Sequence, residues 1–187
     1  MARRRSSSVR APLRALEELN ETALQVARAF RSPDSVAVLG GYAMQLYGSE
    51  RLTKDLDVAA LRAPLNLPRV APLTFGGFTT RTASKIPVDI IVRDDESRAL
   101  YRAAIRAAKR MPGVPLRVVT IPFLAAIKQA SGRTKDEGDL EFLLLKMSDG
   151  EYLETRRIVK RFLGWYAARE LDQYRAIARA RLSMGRI

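Results

Sequence analysis

Asp55 and Asp57 stand two residues apart in "TKDLDVAAL", and Asp89 stands inside the apolar run "IPVDIIV". Residues i and i+2 of a β-strand point to the same face, so Asp55 and Asp57 would project side by side, with Leu56 and Val58 packing on the other face. Two neighbouring carboxylates repel each other. A lone carboxylate among the apolar neighbours of Asp89 would also bear a heavy desolvation cost. A hard divalent cation answers both difficulties. Carboxylate oxygens hold Mg²⁺, which keeps several waters and binds substrate phosphates, and a third carboxylate beside the first two is what a two-metal site requires. Upstream lies Gly40-Gly41, between the apolar "VAVLG" and the amphipathic "GYAMQLYG". A glycine pair at a strand-to-helix turn lets backbone N–H groups approach a phosphate, and the helix N-terminus adds favourable dipole charge. The chemistry these residues suit is metal-assisted work on phosphate.

Composition narrows the field. The 187 residues include no histidine and no cysteine. Histidine-based triads, His–Zn sites, thiolate chemistry and disulfides are therefore excluded. Acid–base work must fall to carboxylates, Lys, Tyr or metal-bound water. No apolar run approaches the ~20 residues that span a bilayer. Nor does the start resemble a secretory signal. The expectation is a soluble, cytoplasmic protein with no membrane partner.

Net charge is +13, and it is unevenly placed. From Arg98 to Lys135 there are nine Lys/Arg and no acid; from Arg156 onward there are nine more, against Glu170 and Asp172. Such an excess suggests a polyanionic partner, nucleic acid before an acidic protein. Arg98, Arg102 and Arg106 fall at i, i+4 and i+8, one basic stripe opposite Leu100, Ala103, Ala104, Ala107 and Ala108. Lys109 and Arg110 continue it. A stripe of this kind can track an RNA backbone, and a solvated helix face is its plainer reading. Arg157, Lys160, Arg161, Arg175 and Arg179 would extend the surface, while Phe162, Trp165 and Tyr166 are expected to pack helices together.

The elements that must position these groups follow from periodicity. Residues 1–11 read as a basic, disordered arm. Leu13, Leu16, Leu19, Ala23, Val26 and Phe30 recur at helical spacing. Strands are expected at Val36–Gly40, at "DLDVAAL" and across a hairpin whose second strand is Pro87–Arg93. A helix over "SRALYRAAIRAAKRM", a short strand at "LRVVTI" and four closing helices complete the chain, two of them after the Pro at "PFLAAIKQA" and a polar "SGRTKDE" break. The fold class is α+β, a small mixed sheet flanked by helices with a helical C-terminal half. Domain bounds are expected at 12–120 for the core and 121–187 for the helical region.

The order Gly40-Gly41, Asp55-x-Asp57 and then Asp89 on a later strand resembles the nucleotidyltransferase (DNA polymerase β-like) superfamily. The string "GGYAMQLYGSERLTKDLDV" looks most like its AbiEii/MenT-type toxin branch, with a GG-x-A…YG…R-x-T-x-DLD pattern. The downstream "AAIKQASGRTKDEGDLEFL" is similar to that branch's K…R-x-K-D-x-x-D-L block. The similarity runs from Val36 to about Leu145.

That resemblance implies a metal-dependent enzyme that moves NMP from an NTP to an acceptor, as the toxin of a toxin–antitoxin pair with a cognate antitoxin protein. Asp55, Asp57 and Asp89 would hold Mg²⁺ or Mn²⁺, with Asp89 also activating the acceptor hydroxyl. Gly40 and Gly41 would cradle the triphosphate, and Arg51 and Thr53 would steady phosphate oxygens or pin the loop. Lys128 would face the triphosphate, with Asp136 and Asp139 organising that wall or touching the nucleotide. The acceptor would be RNA, the 3′ end of a tRNA first. Plainer readings exist: Thr53 as a turn cap, Lys128 as a surface lysine, Asp136 and Asp139 as carboxylates favoured by a helix dipole. A transferase acting on a small antibiotic shares the fold, and so would a catalytically idle RNA-binding module.

Overall fold

Short apolar stretches bounded by turn formers become strands, and five of them make one mixed sheet. They are β1 (Val36–Leu39), β2 (Leu56–Ala60), β3 (Ala71–Pro72), β4 (Gly77–Arg81) and β5 (Pro87–Ile91), in the order β1-β2-β5-β4-β3. The computed structural model describes residues 10–185. β2 and β5 run parallel, and every other neighbouring pair is antiparallel. All four residues of β1 are buried, as a continuous apolar run predicts. Leu56, Val58, Val88 and Ile90 are buried on one face of the two central strands.

Helix α1 (Arg10–Ala27) lays Leu19, Ala23 and Val26 into the core. Helix α2 (Gly40–Leu46) follows β1 without a spacer, and the Tyr42 hydroxyl donates to Asn20 Oδ1 of α1. Burial pushes the Tyr42 phenol up to about 12, so it stays a donor. Most of the arm expected over residues 1–11 lies outside the described residues; Arg10 and Ala11 already belong to α1.

Two expectations are corrected. "LRVVTI" forms no strand of its own: Val118 makes isolated bridges to Val38 and Lys109. Pro115 before it and the helix beginning at Ile121 after it leave no length for a ladder. Helix α3 (Arg98–Ala107) stops four residues short of the expected Met111, because Lys109 exchanges backbone hydrogen bonds with Val118 instead of continuing the helix.

The chain divides into two compact units. One is the segment up to Asp95 together with Ala108–Val118, which holds the sheet. The other is Glu96–Ala107 together with the segment from Val119 onward. Within the second, α4 (Ile121–Ser131) is central and packs on α3, α5 (Thr134–Lys146) and α6 (Asp149–Leu163). Pro122 through Lys128 are buried without interruption, as a helix apolar all round must be. Gly132 at φ 59 closes α4, so the polar break shrinks to Gly132–Arg133. Helix α7 (Trp165–Ser183) lies against α5 and α6. The Tyr152 hydroxyl and Arg156 Nε, the latter at 2.9 Å, both donate to Asp172, and the Arg175 guanidinium stacks 3.7 Å above the Tyr152 ring.

Phe162 is half-buried, but Trp165 and Tyr166 do not pack the helices together; each is 65% exposed. Leu171, Arg175 and Ala178 take the buried side of α7 instead. At the start of α6, the Ser148 hydroxyl accepts from Glu151 N while the Glu151 side chain accepts from Ser148 N, a reciprocal cap. Ser148→Ala should therefore lower unfolding free energy by about 1 kcal/mol in a denaturant titration. A change well below about 0.5 kcal/mol would show that α6 is held by packing alone.

Candidate active site

One row of the sheet holds the carboxylates. Leu39 of β1 pairs with Asp57, Asp57 with Asp89, and Asp89 with Thr79. Asp57 and Asp89 are therefore lateral neighbours on adjacent parallel strands, about 4.8 Å apart along the row and on one face. Both are half-buried. Ala59 and Ile91, two residues further along the same face, are buried, so the pair stands at the open rim of that face. Like charges on neighbouring strands of one face repel unless a counter-charge intervenes.

Thr79 Oγ1 donates to Asp89 Oδ1 at 2.7 Å. The donor is neutral, so it orients the carboxylate without cancelling its charge. Thr79 is the residue that reading the sequence missed; its signal was the hairpin itself, whose register sets Thr79 opposite Asp89.

The glycines serve the aspartates. Gly40 has φ +63, and a Cβ there would lie 1.7 Å from Asp57 Oδ2. The Asp57 carboxylate thus rests directly on the Gly40 backbone, where only glycine leaves room. A Cβ on Gly41 would lie 2.5 Å from Thr53 Oγ1, and that hydroxyl in turn donates to Asp55 Oδ1 at 2.5 Å. Arg51 is exposed, and its carbonyl accepts from Gln45 Nε2 at 3.0 Å, which ties the loop before β2 to α2.

Asp55 sits just ahead of β2, exposed, with its carboxylate on Thr53. Among the described residues no group of three His, Cys, Asp or Glu is placed to hold a metal ion. The structure brings Asp57 and Asp89 together and leaves Asp55 beside Thr53. Two carboxylates with hard oxygens and no soft or nitrogen donor suit a cation that keeps most of its water, as Mg²⁺ does. Asp57 and Asp89 fit such a cation, and Asp55, two residues before Asp57, is exposed and accepts from Thr53 Oγ1.

In the helical unit, Lys128 is buried between two carboxylates. Its Nζ donates to Asp136 Oδ1 at 2.7 Å and to Asp139 Oδ2 at 2.6 Å. Asp136 also accepts from Ser131 Oγ at 2.5 Å and Arg133 Nε at 2.7 Å. Burial opposes ionisation of Asp136, yet the hydrogen bonds from Lys128, Ser131 and Arg133 together outweigh it and hold the carboxyl at about 2 instead of 3.8. Two cations and two anions balance, and the cluster locks α4 to α5. The three residues that the resemblance gave to the nucleotide are thus bonded to one another.

Of the basic stripe, Arg98, Arg102 and Arg106 are all exposed on α3. Lys109 and Arg110 are exposed as well, but the helix has ended, so they do not continue its face.

No protein-family model matches the chain, and no curated protein matches it. Several solved structures are similar. An antigenic nucleotidyltransferase-like protein from Paracoccidioides brasiliensis is 17% identical at a TM-score of 0.49, across 86% of this chain and 93% of its own. A protein from H. pylori assigned as a nucleotidyltransferase is 14% identical at a TM-score of 0.48, across 96% and 98%. The antibiotic-resistance factor ANT(2'')-Ia is 16% identical at a TM-score of 0.39, across 88% and 95%. Each likeness is distant, and what this chain does must follow from its own residues.

Two outcomes are expected from these contacts. Gly40→Ala forces a side chain into left-handed backbone and against Asp57, so it should cost at least about 1 kcal/mol of stability by denaturation. An unchanged midpoint would mean that Asp57 swings away freely. Lys128→Met leaves two buried carboxylates without their cation and should cost about 3–5 kcal/mol. Because the folded Asp136 carboxyl is depressed, its contribution in the wild type is whole above pH 4 and fades as pH falls toward 2. Wild-type stability in Lys128→Met, with weakened nucleotide binding, would return Lys128 to a phosphate-facing role.

Proposed function

We propose that this protein is a nucleotidyltransferase that moves NMP from an NTP to an RNA hydroxyl with release of pyrophosphate. The observation that supports this most is the Asp57–Asp89 pair, set side by side by register with the Gly40 backbone pressed against one member. Like charges placed side by side on one sheet face favour a ligand of opposite charge. Asp57 and Asp89 would hold a hard divalent cation, Mg²⁺ or Mn²⁺. When bound, that ion supplies charge neutralisation for the triphosphate.

The remaining work falls to the chain's own groups. Gly40 and Gly41 offer backbone unshielded by side chains next to the carboxylates, where a triphosphate can come close. Thr79 holds Asp89 Oδ1 and leaves Oδ2 to take the proton of the acceptor hydroxyl. The hydroxyl oxygen bonds to the α-phosphorus, the α–β bridging bond breaks, and pyrophosphate leaves with its electron pair. In a chain without histidine, a carboxylate is the available base at this position. The protein contributes positioning and electrostatic preorganisation more than covalent chemistry.

The motif resemblance and the +13 charge extend the reading: the acceptor is the 3′ end of a tRNA, and the protein is the toxin of a toxin–antitoxin pair acting in the cytoplasm. A basic protein suits an RNA acceptor better than a small cationic antibiotic.

The test is incorporation of label. Protein, Mg²⁺, total RNA and each α-labelled NTP in turn are incubated beside Asp57→Asn. A tRNA-sized labelled band in wild type, reduced at least about 100-fold in the variant, is the expected result. Equal labelling by the variant would remove Asp57 from the reaction, and label on no RNA would overturn the acceptor.

A further inference from the structure

Trp165 and Tyr166 open α7 where it turns off α6 at Gly164, and their rings meet edge to face 6.1 Å apart. Two large rings, each 65% exposed, leave most of their surface open to water. The segment around them, "TRRIVKRFLGWYAAR" from Thr155 to Arg169, contains five Lys/Arg and no acid. Arg156 is bound to Asp172. Arg157, Lys160, Arg161 and Arg169 are exposed, and none of them is in an ion pair among the described residues. Arg161 lies over the Phe162 ring at 5.2 Å.

The far end of α7 is built the opposite way. Arg175 and Arg179 both reach Asp149, and Arg181 reaches Glu141. Cations there are paired with acids of neighbouring helices, three arginines on two carboxylates. Unneutralised charge and bare aromatic surface therefore coincide at one corner of the helical unit. A duplex hides its base faces inside the stack, and an acidic protein surface offers carboxylates without a regular series of exposed rings. Unpaired nucleotides present both, a phosphate chain for the cations and π-faces for the rings.

We propose that the α6–α7 corner binds single-stranded RNA, with bases stacking on Trp165 and Tyr166 and phosphates against Arg157, Lys160, Arg161 and Arg169. The inference deepens the transfer reading by giving its RNA acceptor a docking surface, and rests on that reading only for the acceptor's identity.

Trp165 is the single tryptophan of the chain, so its emission reports on the corner alone. Titration with an unstructured oligouridylate should quench it saturably. Tyr166→Ala should weaken binding at least about fivefold, and Trp165→Ala should do the same by anisotropy of a labelled oligonucleotide. Changing Arg157, Lys160 and Arg169 together to Gln should flatten the slope of log K against log salt by about 2. All these side chains are exposed, so circular dichroism should stay that of the wild type. Binding without quenching, an unchanged salt slope, or equal quenching by an RNA duplex or by polyglutamate would each overturn the proposal. Asp57→Asn should quench as wild type does. Quenching without nucleotide transfer would sink the transfer reading alone, whereas transfer to RNA with no quenching would sink the corner alone.

Discussion

Two carboxylates held side by side constrain everything near them. Asp57 and Asp89 are neighbours because β2 and β5 are parallel and in a register that pairs them. A slip of one residue by either strand would turn its own aspartate onto the other face, among Leu56, Val58, Val88 and Ile90. The apolar alternation of the two central strands therefore sets where the charges go. Gly40 must be glycine because Asp57 lies against it, and Thr79 must reach Asp89 because β4 is paired beside β5. Like charges gathered at one rim of the sheet are where a cation would fit best.

The helical unit treats charge differently. Lys128, Arg133, Asp136 and Asp139 form a closed, balanced cluster, and Asp149 gathers Arg175 and Arg179. Such pairs fix how helices meet and leave little field outside. At the turn from α6 to α7, as along Arg98, Arg102 and Arg106 of α3, exposed cations have no ion pair among the described residues, and here two open rings share the turn. Exposed cations without such pairs are where a partner of opposite charge would bind most favourably.

Much of this was legible in the residues. β1, the hairpin and the C-terminal helices follow from apolar runs and from Gly and Pro punctuation, and the Asp57, Asp89 and Gly40 constellation from spacing. What local pattern could not give was non-local. "LRVVTI" has strand composition, yet among the described residues its β-bridges reach only Val38 of β1 and Lys109 after α3. Lys128 looked like any helical lysine until Asp136 and Asp139 folded back on it. Trp165 and Tyr166 looked like core by type, but their angular position on α7 lies away from Leu171 and Ala178, the residues that face its neighbours. Asp55 shares a face with Asp57 by spacing, but the strand begins after it and Thr53 takes its carboxylate.

The central claim is that Asp57 and Asp89 together are a divalent-cation site. The direct measurement is Mn²⁺ binding by electron paramagnetic resonance, on wild type, Asp57→Asn and Asp89→Asn, each with and without NTP. One protein-bound Mn²⁺, tightened by added NTP and lost in both variants, is the expected result. Undiminished Mn²⁺ binding in either variant would contradict it, because the paired carboxylates would then have no cation to hold.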